Sequence, residues 1–173
     1  ARHAPEVRQD RTLLVFFLEL RGDRATSSGW PGYLLLDRYA RDLPGVEPGR
    51  WSPLAATVIE GAPDALACVR DGRAGVQDEG SQLVALALAQ AQVDGPDTAW
   101  LDACAGPGGK AALLEGLATQ RGAHLVAIEQ HPHRAALVSG SLAPHSTTVV
   151  ITADARDRPW GDERFDRVLI DAR

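Results

Sequence analysis

Asp102-Ala103-Cys104-Ala105-Gly106-Pro107-Gly108-Gly109-Lys110 is the stretch whose reading decides the fold. Ala99-Trp100-Leu101 before it reads as the end of a short buried strand, and Ala111 to Leu117 after it reads as a helix start. A strand, a glycine-rich turn and a helix N-terminus in succession make a site for a nucleotide-type cofactor. The glycines let backbone N–H groups approach a ligand, and the first turn of the helix leaves donors unpaired. The turn is not a Walker loop: Cys104 stands where the first Gly is required, and Ala111 follows the Lys instead of Ser or Thr. No register fits the dinucleotide Gly-x-Gly-x-x-Gly. By itself Gly-Pro-Gly-Gly also serves as a plain surface turn.

The surroundings favour the cofactor reading. Leu125 to Glu129 is a second apolar run ending in an acid, about twenty residues after the turn, where doubly wound sheets place the carboxylate that binds ribose hydroxyls. Thr148 to Asp154 and Phe165 to Asp171 are two more such runs. Acids therefore recur at four strand ends: Asp102, Glu129, Asp154 and Asp171. In parallel α/β sheets ligands bind beyond the carboxyl ends of the strands. The pattern predicts helix 77–91, strand 98–103, helix 109–119, strand 124–129, helix 132–141, strand 147–152 and strand 166–171. Such alternation implies an α/β fold with a parallel, doubly wound sheet and right-handed crossovers.

The turn, together with the preceding Val76-Gln77-Asp78-Glu79-Gly80-Ser81-Gln82-Leu83-Val84, resembles the S-adenosylmethionine-dependent RNA cytosine-C5 methyltransferases, the bacterial 16S rRNA group often called Sun or Fmu. The likeness runs from about Trp51 to Asp171. It implies a Rossmann-like class I methyltransferase core, S-adenosylmethionine as cofactor and RNA, rRNA in particular, as partner. By the same resemblance Cys104, Ala105, Gly106, Pro107, Gly108, Gly109 and Lys110 wrap the methionine end of the cofactor. Glu129 takes the ribose hydroxyls, Asp154 lies near the adenine amine, and Asp171 faces the methyl-transfer region. A side chain at Gly108 is then expected to press on the cofactor.

Family members continue from the position of Asp171-Ala172 into Pro-Cys and later carry Thr-Cys-Ser. One cysteine attacks C6 of cytosine and the other assists product release, chemistry that needs a thiolate. Here Arg173 stands where Pro is expected, so the resemblance puts both catalytic cysteines beyond Arg173. Cys104 belongs to the turn, and Cys68, in Ala65 to Val69, reads as a buried strand thiol. With no Met in 173 residues and an end inside a motif, the sequence is expected to be incomplete or discontinuous, its sheet cut short after the fourth strand. Two other readings remain: a 2′-O-methylating enzyme on the same fold, against which Gln77-Asp78 and Cys104-Ala105 speak, and an inactive cofactor-binding fragment.

A hydrophobic share of 45% suffices for a globular core, and no apolar run approaches the roughly 18 residues of a membrane span. The protein is expected in the cytoplasm. Two cysteines thirty-six apart offer no metal spacing, and His131 and His133 read as solvated, so no metal site is expected. The net charge of −5 speaks mildly against nucleic acid, but residues 1–73 balance ten Arg with ten acids. Arg70, Arg73, Arg156 and Arg158 are candidate RNA contacts. Residues 1–73 are expected to form a small N-terminal α/β subdomain that holds RNA, and residues 74–173 the first half of the core. Within the former, Arg11 to Leu20 fits helix or strand, Ser27 to Gly32 a turn, Tyr33 to Leu43 a helix, and Ala65 to Val69 a strand.

Overall fold

The computed structural model of the chain describes residues 45–70, 74–142 and 146–172, together with the backbone of residues 12–16. The turn expected at Ser27 to Gly32, the helix expected at Tyr33 to Leu43, and Arg73 lie outside the described residues.

Two four-stranded sheets follow one another. The first joins β1 (Thr12–Phe16), β2 (Val46–Pro48), β3 (Ala55–Val58) and β4 (Ala74–Val76) in the order β2-β3-β1-β4, every pair antiparallel. The ambiguous run at Arg11 to Leu20 thus contains a strand, and β1 sits between β3 and β4. Val46, Ala56, Val58, Cys68 and Ala74 form the core of this sheet. The strand expected at Ala65 to Val69 is a correction. A 3-10 turn, Pro63–Ala65, leads into a short helix α1 (Ala67–Arg70). Pro63 presets the first position of the turn, with Asp64 behind it. Cys68 is buried as expected, at 3% exposure, but on a helix.

Val76 leads within two residues into α2 (Glu79–Gln90). Asp78 caps this helix: its Oδ1 accepts from Ser81 N at 2.8 Å and its Oδ2 from Ser81 Oγ at 2.7 Å. The second sheet then runs β5 (Ala99–Asp102), α3 (Gly109–Gln120), β6 (His124–Glu129), α4 (Pro132–Ser141), β7 (Val149–Thr152) and β8 (Arg167–Leu169). Its strands are all parallel, in the order β7-β6-β5-β8. This is the α/β Rossmann-like arrangement that the alternation of apolar runs predicts, and its elements match the expected ones to within a few residues at their ends.

Alternation along β5 distributes side chains to two cores. Trp100 points with Leu125 and Ala127 toward the helices, into a core completed by Ala85, Leu86, Leu113, Leu114, Leu117 and Val138. Leu101 points the other way with Val126 and Ile128, under Ile151, Trp160 and Phe165. Burial on both faces explains why these strands read as continuous apolar runs. Helix α3 is apolar nearly all round for the same reason: Ala111 to Ala118 are all buried.

The strand order fixes where a ligand can bind. From β5 the chain moves outward through β6 to β7, then returns to place β8 on the other side of β5. The strand order therefore reverses between β5 and β8, and open α/β sheets bind their ligands at the carboxyl ends of the strands beside such a reversal.

Candidate cofactor site

The turn after β5 is built from the strand upward. Asp102, 1% exposed, ends the strand and its Oδ1 accepts the N–H of Cys104 at 3.1 Å, folding the chain back on itself. Ala105 N donates to Ile128 O, which fastens the turn to β6. The Gly106–Pro107 peptide is cis. Gly108 then adopts a φ of +118°, a conformation that glycine takes without strain, and serves as the N-cap of α3.

A cavity of about 1540 Å³ opens above the carboxyl ends of the strands. The structure brings Cys104, Ala105, Gly106, Pro107, Gly109, Lys110, Glu129, Asp154 and Asp171 to its wall. Of the residues assigned to the cofactor, Gly108 is not on that wall, and neither is the strand-end acid Asp102. A Cβ there would lie 2.2 Å from Ser141 Oγ and 2.9 Å from Val138 Cα. The expectation that a side chain at Gly108 presses on a cofactor therefore needs correction: it would press on α4. Gly106 is where a side chain meets a site group, since its Cβ would fall 2.0 Å from Glu129 Oε2.

Each acid of the wall has its own surroundings. Glu129, 5% exposed, accepts the N–H of His131 through Oε1 at 2.8 Å, and its Oε2 lies 3.5 Å from Arg134 Nε. Arg134 also donates to Gly106 O at 2.7 Å, so one guanidinium ties the turn to the end of β6. Asp171 forms an ion pair with Lys110 at 2.7 Å, which spans the crevice between β5 and β8. Asp154 receives the N–H of Arg156 at 2.9 Å and the Nε of the same residue at 3.0 Å. The Arg156 guanidinium holds the Asp154 carboxyl down at about 2. Burial pushes the Asp102 carboxyl up to about 6, against the opposing pull of the Cys104 N–H and the Lys110 charge. Burial, then the charges of Asp102, Glu129 and Asp171, also raises the Cys104 thiol above its ordinary value. A thiol so placed is a poor nucleophile, in keeping with its assignment to the turn.

Two residues of the site, Arg134 and Ser141, escaped the sequence reading, and a third, Gln77, stood out only as part of a family motif. Arg134 is the link between Gly106 and Glu129; a basic residue in the first turn of a helix, where acids are favoured, was its only signal. Gln77 lines the cavity from the start of α2 and packs beside Gly109. Ser141 donates to Val138 O at 2.7 Å and approaches Gly108 O at 3.2 Å, at the far end of α4. Of the arginines considered for RNA, Arg70 and Arg156 line the cavity. Arg158 is exposed and reaches Gly161 O. His131 and His133 are exposed.

The family model for 16S rRNA methyltransferase RsmB/F matches residues 86–173, half of the chain and the whole of the parallel sheet. The chain belongs to this family. A Mycobacterium tuberculosis protein named as a methyltransferase is 50% identical over 142 residues, 82% of this chain and 30% of that protein. A Bacillus subtilis protein named as ribosomal RNA small subunit methyltransferase B is 32% identical over 158 residues, 89% of this chain and 32% of its own length. The chain thus spans about a third of the length of these curated relatives. The crystal structure of PH0851 superposes with a TM-score of 0.72 at 20% identity, over 96% of this chain and 35% of that one, which supports the fold. The family's match begins inside α2 and takes in all four strand ends that wall the cavity.

Proposed function

We propose that the cavity binds S-adenosylmethionine and that the protein containing this chain methylates C5 of a cytosine in RNA, most directly 16S rRNA. The carrying observation is the convergence of the turn after β5 with Glu129, Asp154 and Asp171 on one cavity, within the stretch that matches the RsmB/F family. When bound, the cofactor supplies a methyl group on a positively charged sulfur.

The residues present suit that group. The first turn of α3, beginning at Gly109, offers backbone donors to a carboxylate. Glu129 is held by His131 N–H and Arg134, so its carboxylate is already oriented toward a ribose diol. Asp154 stays ionised down to about pH 2 and offers an acceptor at the end of β7 to an exocyclic amine. Lys110 holds Asp171 at the mouth between β5 and β8, where a base would have to enter.

Neither described cysteine suits covalent attack on a base. Cys68 is buried in the core of the first sheet, and the Cys104 thiol is raised by burial and by three acids. The attacking thiolate of the cytosine-C5 reading comes from the Pro-Cys and Thr-Cys-Ser segments that family resemblance sets downstream of Asp171. Arg70 and Arg156, both on the cavity wall, are the described arginines assigned here to contact with RNA phosphates.

Incubating the full-length protein with isotope-labelled S-adenosylmethionine and unmodified 16S rRNA, followed by nucleoside analysis, tests this reading. Label in 5-methylcytidine is the expected result. Label in a 2′-O-methyl nucleoside would replace the cytosine-C5 reading with a ribose-methylating one.

A further inference from the structure

Gln77 is the least expected residue of the cavity. It is 8% exposed, yet both its Nε2 and its Oε1 lack a hydrogen-bond partner. Leaving a buried donor and a buried acceptor unmade destabilises the fold, so such a group calls for an explanation. Poor placement of the backbone is not one. Gln82 Nε2 donates to Gln77 O at 3.2 Å, and Ser52 Oγ donates to Gln82 Oε1 at 2.6 Å. Glu79 on the same helix accepts the N–H groups of Trp51 and Ser52 at 2.8 and 2.9 Å. The main chain at residue 77 is therefore clamped between the loop before β3 and α2 while its amide is left unsatisfied.

That amide sits beside Gly109, the first residue of α3. A Cβ built on Gly109 would lie 3.4 Å from Gln77 Nε2, an ordinary contact distance, which places the amide at the start of the helix. The N-terminus of α3, a twelve-residue helix, attracts a carboxylate. An amide has one donor end and one acceptor end, a match for a zwitterion that carries a carboxylate and an ammonium on one carbon.

We propose that Gln77 is a binding residue for the amino-acid end of the cofactor, its Nε2 donating to the α-carboxylate and its Oε1 accepting from the α-ammonium. This inference rests on the S-adenosylmethionine reading and deepens it. The first sheet then has a part in the site, because β4 delivers Gln77 to the cavity one residue after its last pair with β1. An unpaired amide in the free protein is the cost of recognition in the bound one.

The test compares two nucleosides by calorimetry on the full-length protein. S-adenosylhomocysteine carries the amino-acid end, and 5′-methylthioadenosine lacks it. Gln77→Leu is expected to weaken S-adenosylhomocysteine by about tenfold or more and to leave 5′-methylthioadenosine within about twofold, since hydrogen bonds to charged groups are lost only with the first. The same variant should melt at a higher temperature than the wild type when free, because the unpaired amide is gone. Gln77→Glu keeps the size but sets a negative charge against the carboxylate. It should reproduce the selective loss even if the Leu variant folds badly. Equal weakening of both nucleosides, or of neither, would overturn the role given to Gln77 while leaving the cofactor site standing. A wild type that binds neither nucleoside would remove the cofactor reading itself, and this inference with it.

Discussion

The two ends of the parallel sheet are built on opposite terms. At the amino end Arg167, 5% exposed at the start of β8, has its guanidinium fully engaged. Its Nε and Nη2 grip Asp97 at 2.6 and 2.8 Å, and its Nη1 caps α2 by donating to Ala91 O at 2.7 Å and to Leu88 O. Trp100 stacks beneath it at 5.1 Å and donates its own N–H to Asp97 at 2.8 Å. Asp166 accepts the N–H groups of Thr98 and Ala99 at 2.7 and 3.0 Å. At the carboxyl end Asp102 Oδ2 and both amide atoms of Gln77 have no partner. One end is satisfied and holds the fold together; the other keeps polar groups unmet, the state expected where a ligand is to supply the missing contacts.

The largest expected effect breaks the satisfied end. Arg167→Leu strands the Asp97 carboxylate and uncaps α2, and should cost about 3–4 kcal/mol of stability in urea unfolding. Nucleoside affinity of the molecules that remain folded should stay unchanged, since no Arg167 contact reaches the cavity. A loss below about 1 kcal/mol would mean that the amino end is not where the sheet is locked.

The next effect sharpens the other side of the comparison. The folded carboxyl of Asp102 sits at about 6, above its ordinary 3.8. Below pH 4 it is protonated in both states and has no net effect. As the pH rises from 4 to 6 the unfolded chain ionises first, so stability falls and remains lower above pH 6. Asp102→Asn should therefore raise stability at pH 8 by about 3 kcal/mol, at 1.36 kcal/mol per pKa unit, with little change at pH 3.5. Thermal melts at the two pH values check this; an equal effect at both would show that burial of charge is not what Asp102 contributes.

The sequence made one end of the sheet far more legible than the other. Strand ends at the carboxyl side carry acids after Val/Leu/Ile runs, and a glycine-rich turn marks β5, so Glu129, Asp154 and Asp171 could be nominated from local pattern alone. Nothing local marks Arg167 or Asp97, and Gln77 stands out only through the family resemblance of the Gln77-Asp78 segment, not as a wall residue. Arg167 acts across seventy residues on Asp97, and its isolated position in an apolar run looks like any strand-end charge. Ala65 to Val69 was misread because a five-residue apolar run carries no period long enough to separate helix from strand. Gly108 was placed correctly in the turn but against the wrong neighbour. Its φ follows from the glycine-rich sequence, whereas the approach of Ser141, thirty-three residues on, is set by how α4 packs.

We propose that the unsatisfied end binds an adenosine cofactor through Glu129. Calorimetric titration of the wild type and of Glu129→Ala with S-adenosylhomocysteine tests it most directly. The variant is expected to lose roughly 1–3 kcal/mol of binding free energy, the cost of leaving ribose hydroxyls unpaired. Equal affinities for the two proteins would contradict the placement of the ribose at the end of β6, and with it the account of the cavity.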